Sequence, residues 1–68
     1  MKEITRTPQI QVGDHITLSD ETEGRVSLKT IAGIVTDMFD AEGYTRKVKP
    51  SEIISLRRGK DYFRVSIK

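Results

Sequence analysis

The chain has 68 residues, of which 35% are hydrophobic and 32% charged, and its formal net charge is +2. A chain of this length forms one domain with a small core, and because cysteine is absent, neither a disulfide nor a thiolate-bound metal holds that core together. No apolar run approaches the ~20 residues that cross a bilayer, and the polar N-terminus does not match a secretory signal. We therefore expect a soluble protein of the cytoplasm.

The first nine residues have no hydrophobic period and contain Pro8. We predict a flexible N-terminal arm over residues 1–9, with Ile4 as its point of contact with a sheet edge. The folded domain is predicted to span residues 10–68.

After this arm, apolar and polar residues alternate, as in half-buried strands. A turn at Gly13-Asp14 precedes a strand in which Ile16 and Leu18 share the buried face and His15 points outward. The segment from Ile31 to Met38 is rich in β-branched residues, and we predict a single strand in which Gly33 marks a bulge or a close backbone approach. A strand is also predicted at residues 25–29, where Val26 and Leu28 alternate with polar residues. The other predicted elements are a hairpin loop at residues 40–43, a strand at 44–49, a 3₁₀ turn at 50–53, a strand at 54–56 and a last strand at 62–68.

These elements predict an all-β domain, a small barrel of five or six short antiparallel strands with one 3₁₀ turn. No window has a helical period or an internal repeat. The residues predicted to form the core are Val12, Ile16, Leu18, Val26, Leu28, Ile31, Val35, Met38, Val48, Ile53, Leu56, Phe63, Val65 and Ile67.

The order of these elements resembles the SH3-like small barrel, with a Gly-Asp turn before the first strand and a Pro-Ser-Glu-Ile turn before the last strands. Residues 29–35 (Lys-Thr-Ile-Ala-Gly-Ile-Val) and Met38 look like a KOW-type core, in which Gly33 matches the family's characteristic glycine and Val35 and Met38 its buried apolar positions. The resemblance covers residues 11–57 and extends to small KOW-like proteins of Gram-positive bacteria and their phages. It implies a fold more than an activity.

The residue types give little support to catalysis or to metal binding. His15 is the single histidine and no cysteine is present, so we expect no nucleophile–base pair and no enzyme activity. Two acidic clusters, at residues 20–23 and 37–42, could offer oxygens to a hard cation, but their spacing does not match a calcium loop. We interpret them as solvated loop acids and expect neither a metal nor a cofactor.

Charge is distributed unevenly along the chain. Residues 1–45 carry four Lys or Arg against eight Asp or Glu, whereas residues 46–68 carry eight against two. Alternation along the last strand places Tyr62 and Arg64 together on its outward face. A basic surface with an exposed aromatic side chain is what phosphate contact and base stacking require. The alternative is that these cations only keep an edge strand soluble.

We predict a non-enzymatic binding module whose ligand is nucleic acid or whose partner is a nucleic-acid complex. A protein-interaction adaptor is the alternative, in which a barrel edge or the basic face docks an acidic protein or a second copy of the chain. We expect no membrane and no small-molecule substrate. The residues predicted to bind nucleic acid are Arg46, Lys47, Lys49, Arg57, Arg58, Lys60, Tyr62 and Arg64.

Overall fold

The computed structural model describes residues 2–67, so Met1 and Lys68, the ends of the predicted arm and of the predicted last strand, lie outside it. The described residues form seven strands and two 3₁₀ turns. The strands are β1 (Lys2–Ile4), β2 (His15–Leu18), β3 (Glu23–Thr30), β4 (Gly33–Phe39), β5 (Thr45–Val48), β6 (Ile53–Arg58) and β7 (Asp61–Val65), and the 3₁₀ turns are Thr7–Gln9 and Pro50–Glu52.

All seven strands belong to one sheet in the order β1-β7-β6-β2-β3-β4-β5. Every neighbouring pair is antiparallel except β1 and β7, which run parallel. The all-β prediction is confirmed, and so is the 3₁₀ turn that begins at Pro50. The predicted count of five or six strands is too low by at least one, because the chain ahead of residue 10 supplies a strand of its own.

That extra strand falls in the segment predicted to be a flexible arm over residues 1–9. Ile4 is 2% exposed and lies opposite Val65 on β7, and Thr7–Gln9 forms the second 3₁₀ turn. The structure therefore adds Lys2–Ile4 to the sheet, and Ile4 makes the contact predicted for it. A three-residue strand with one apolar side chain has no period, which is why alternation does not reveal it.

The β3–β4 connection differs from the single strand predicted over Ile31–Met38. Thr30 pairs with Gly33, so the hairpin turns over the two residues between them. This turn shifts the alternation by one residue: Ile34 is buried at 1% exposure, whereas Val35 is half-buried. Composition does not predict this turn, because two-residue hairpin turns usually contain glycine, asparagine or aspartate.

Gly33 is nevertheless needed at its position. Its φ of +147° lies in the region that side chains disfavour, and a Cβ built there would lie 3.1 Å from the backbone oxygen of Val48. The close approach predicted for this glycine is present, at the beginning of β4 rather than within a longer strand.

The core differs from the prediction at several positions. Val12, Leu28 and Ile31 are exposed, because Ile31 lies in the turn and the register shifts between Val26 and Leu28. Met38, Phe63 and Ile67 are only partly buried against the core. The buried hydrophobic residues are Ile4, Ile10, Ile16, Leu18, Val26, Ile34, Val48, Ile53, Leu56 and Val65.

The shifted alternation in β4 makes a stability prediction for two adjacent residues. Ile34→Asp should abolish cooperative unfolding, because an unpaired carboxylate in the core costs several kcal/mol. Val35→Asp should cost only about 1 kcal/mol, the span of strand preferences at a partly exposed position. Thermal melts followed by circular dichroism measure both, and equal losses would contradict the observed register.

Candidate nucleic-acid interface

The β6–β7 hairpin brings three of the predicted residues together on one face. Gly59, with a φ of +62°, and Lys60 form the loop, and the strands pair Arg57 with Tyr62. The same register pairs Ser55 with Arg64 two residues further along. Because side chains at paired positions share a face, Arg57, Tyr62 and Arg64 lie side by side on the surface opposite the core.

Strand β2 extends this surface on the other side of β6. His15 lies opposite Arg57 and Thr17 lies opposite Ser55. The imidazole, predicted to point outward, is one-third exposed, and its Nε2 lies 3.1 Å from Oε1 of Glu23. We call the surface formed by these paired residues the hairpin face: His15, Thr17, Ser55, Arg57, Tyr62 and Arg64.

Two shallow depressions lie on the hairpin face. The larger one, of about 310 Å³, is lined by Ile54, Ser55, Tyr62 and Arg64. A smaller one, of about 50 Å³, lies on the side of His15 and Arg57 and shares Ser55 and Tyr62 with the first. Tyr62 is 54% exposed and Ile54 47% exposed, so an aromatic ring and an aliphatic side chain face solvent between two cations.

Ile54 and Ser55 are not among the residues predicted to form the site. In the sequence, Ile54 follows Ile53, which is predicted to be buried, and nothing marks Ile54 as part of a binding surface. Only the structure, in which Ile53 and Leu56 are buried on either side of it, turns Ile54 toward the surface.

Arg58 has a different environment from Arg57, although both were candidates for phosphate contact. Its Nε and Nη2 atoms donate hydrogen bonds of 2.8 Å each to the two carboxylate oxygens of Asp14, and Nη2 also donates to the backbone oxygen of Gln9 at 2.9 Å. The guanidinium lies 5.0 Å from the centroid of the Phe63 ring. These contacts engage three of the five N–H donors and pair the charge of Arg58 with a carboxylate inside the fold, which distinguishes Arg58 from Arg57.

The Asp14 side chain is 3% exposed, and opposing effects act on its carboxyl group. Burial raises its pKa, but hydrogen bonds from Arg58 and from the backbone N–H of Gln11, with the positive charges of Arg58 and Lys29, outweigh burial and lower the pKa below its ordinary value. The hydrogen bonds to Asp14, with the negative charges of Asp14 and Asp61, raise the pKa of Arg58. Both groups are therefore charged at neutral pH.

The predicted residues on β5 lie away from the hairpin face. Arg46 is engaged by the β2–β3 loop, where Nη2 donates to Asp20 at 2.9 Å and Nη1 to Thr22 at 3.2 Å. Hydrogen bonds from the Thr22 hydroxyl, from Arg46 and from the Thr22 backbone lower the pKa of Asp20 to about 2. Lys47 lies on β5 and Lys49 directly follows that strand, which is three strands from β2 and four from β6 in the strand order.

Two of the acids in the 37–42 cluster, predicted to be solvated, accept hydrogen bonds within the fold. Asp37 accepts a hydrogen bond from the backbone of Arg25, and Asp40 accepts from the backbones of Glu42 and Tyr44. Within residues 2–67 no three His, Asp or Glu side chains are grouped as a metal site would require. No helix in that range has the length and hydrophobicity to cross a membrane.

Comparison of the chain with protein-family models, with curated proteins and with solved structures finds no match in any of the three.

The adjacent arginines make a matched pair for a stability test. Arg58→Ala should lower the free energy of unfolding by about 2–3 kcal/mol, because it leaves the buried carboxylate of Asp14 unpaired. The loss should be somewhat smaller than for a fully buried pair, because the side chain of Arg58 is one-third exposed. Arg57→Ala should change it by less than about 0.5 kcal/mol. Urea unfolding measures both, and equal effects would contradict the assignment of Arg58 to the core contact.

The lowered pKa of Asp14 predicts acid-dependent stability. Its folded pKa lies below the unfolded value, so the stabilisation is complete above the unfolded pKa of about 4 and is lost as the pH falls through the folded pKa. Asp14→Asn should be less stable than the parent protein at neutral pH. Between about pH 5 and about pH 2, its free energy of unfolding should fall by less than that of the parent.

The control for this test is Asp61→Asn, because Asp61 is exposed and lies 3.6 Å from Lys2. Asp20 contributes acid dependence in both variants, so their difference isolates Asp14. An Asp14→Asn variant with the same acid dependence as Asp61→Asn would contradict the prediction.

Proposed function

We propose that this chain is a non-enzymatic nucleic-acid-binding module and that the hairpin face is its contact surface. The observation that carries the proposal is the cross-strand pair of Arg57 and Tyr62, with Arg64 beside it on the same face. An exposed aromatic ring between two guanidinium groups offers stacking and phosphate contact within one small area.

The ion pairs among the described residues support Arg57, Lys60 and Arg64, rather than Arg46 and Arg58, as the phosphate contacts. Arg46 and Arg58 are each paired with an aspartate. Within residues 2–67, no carboxylate lies within 4.0 Å of the cationic groups of Arg57, Lys60 or Arg64. Their charge is available to attract phosphate. On the same face, Oε1 of Glu23 lies 3.1 Å from Nε2 of His15.

We further propose that residues 15–58 form an SH3-like barrel. The support is the order β6-β2-β3-β4-β5, in which the last strand in sequence returns beside the first, and the 3₁₀ turn Pro50–Glu52 between β5 and β6. Strands β1 and β7 then extend one edge of that unit, and β7 carries Tyr62 and Arg64 of the hairpin face.

Salt dependence tests the proposed function. With Arg57, Lys60 and Arg64 each contacting one phosphate, the logarithm of the affinity for a mixed-sequence oligonucleotide should fall with the logarithm of salt concentration with a slope of about −2 on single strands and nearer −3 on duplex. Arg57→Ala should reduce the slope on single strands by about 0.7. Fluorescence anisotropy with labelled oligonucleotides provides the measurement.

Lys47→Ala is the control, because it removes an exposed cation on β5 and leaves the hairpin face intact. Its slope should equal that of the parent protein. Absence of binding at low salt, where charge attraction is strongest, would refute the proposal. A slope reduced by Lys47→Ala and not by Arg57→Ala would place the contact on β5 instead.

The protein-interaction adaptor is favoured by one observation, the position of β5 at an end of the strand order. An edge strand offers unpaired backbone groups to an added strand. Lys47 and Lys49 are exposed there, so an acidic extended segment fits the edge better than a second copy, whose own lysines would lie opposite. Binding of acidic peptides that Lys47→Glu abolishes would support this alternative.

A further inference from the structure

We propose that the larger depression on the hairpin face holds one unpaired nucleobase, so that the ligand is a single strand rather than a duplex. This inference rests on the proposed function and names the form of nucleic acid that the site takes.

The lining of the depression has the chemistry that a base requires. Tyr62 supplies an aromatic face and Ile54 an exposed aliphatic surface, each about half exposed. Ser55, 8% exposed, lines the depression with a side chain that can donate or accept a hydrogen bond at a base edge. Arg64 lies at the same depression and provides charge for a phosphate of the same strand.

The sizes of the two depressions point to a single base. The larger one, of about 310 Å³, has room for a planar ring system beside Tyr62. The smaller one, of about 50 Å³, is far smaller than the first and does not offer a second such space. The face therefore offers one base subsite beside Tyr62.

The width of the surrounding sheet argues against a duplex. Strand β6 is paired with β2 and strand β7 with β1, so the hairpin is not a free two-stranded ribbon. Four strands at a spacing of about 4.8 Å span about 14 Å between the outer axes, which is more than the ~12 Å width of the major groove. The two-residue loop at Gly59 and Lys60 adds no element that could enter a groove.

Bases in a duplex are also stacked on their neighbours, so their faces are not available to Tyr62. An unpaired strand exposes those faces, and stacking on an aromatic side chain tolerates any base. We therefore expect weak dependence on sequence and strong dependence on the presence of the base itself.

The test compares two ligands with the same number of phosphates: a short oligodeoxythymidylate and an abasic oligomer of equal length. The parent protein should bind the base-bearing oligomer about five- to 150-fold more tightly, the range for one stacked base. Tyr62→Leu should remove that preference while the slope of affinity against salt stays the same, and Tyr62→Phe should retain it.

Tyr44→Leu is the matched control, because Tyr44 is 72% exposed on the β4–β5 connection and lies outside both depressions. It should behave as the parent. Equal binding of both oligomers by the parent, or a preference that survives Tyr62→Leu, would overturn the base subsite and leave phosphate binding intact. Tighter binding of a duplex of the same length would also overturn it. Failure to bind any of these ligands would instead refute the proposed function, and the inference with it.

Discussion

The ion pair between Asp14 and Arg58 is the constraint on which the rest of this small fold depends. Its carboxylate accepts two hydrogen bonds from the guanidinium and one from the backbone of Gln11, and the backbone oxygen of Asp14 accepts from Val26 on β3. One residue thus connects the N-terminal segment, β3 and the end of β6. In a domain of this size, with a core of ten buried apolar side chains among the described residues, leaving the buried carboxylate of Asp14 without its partner would cost a large fraction of the total stability.

The same contact separates the roles of two neighbouring arginines. Because successive side chains of a strand point to opposite faces, fixing Arg58 against Asp14 and Phe63 turns Arg57 to the outer surface beside Tyr62. The proposed binding face therefore lies on a hairpin whose inner side is held by the Asp14–Arg58 ion pair. On its outer side, Arg57 and Arg64 have no carboxylate partner within residues 2–67. Rigid support of this kind lowers the entropy lost when a strand binds.

Alternation predicts the parts of the fold where one face is buried and the register is regular. It identifies Ile16 and Leu18 as buried in β2, and it places Tyr62 on the outer side of β7. It fails at the turn between Thr30 and Gly33, since an Ile-Ala turn has no composition that marks it. The division between Arg57 and Arg58 also escapes the sequence, because Asp14 lies 44 residues away and only the pairing of β2 with β6 brings it close. Contacts between residues so far apart in the sequence determine which arginines are paired with a carboxylate.

The most direct test of this account is a titration of the ¹⁵N-labelled protein with a single-stranded oligonucleotide, followed by amide chemical shifts. We predict that the largest changes fall on residues 54–57 and 60–64 and on His15, while the amides of Gln11 and Asp14 keep their positions because the ion pair is unaltered. Changes concentrated on Thr45–Val48, or on the turn at Ile31, would contradict the assignment of the hairpin face.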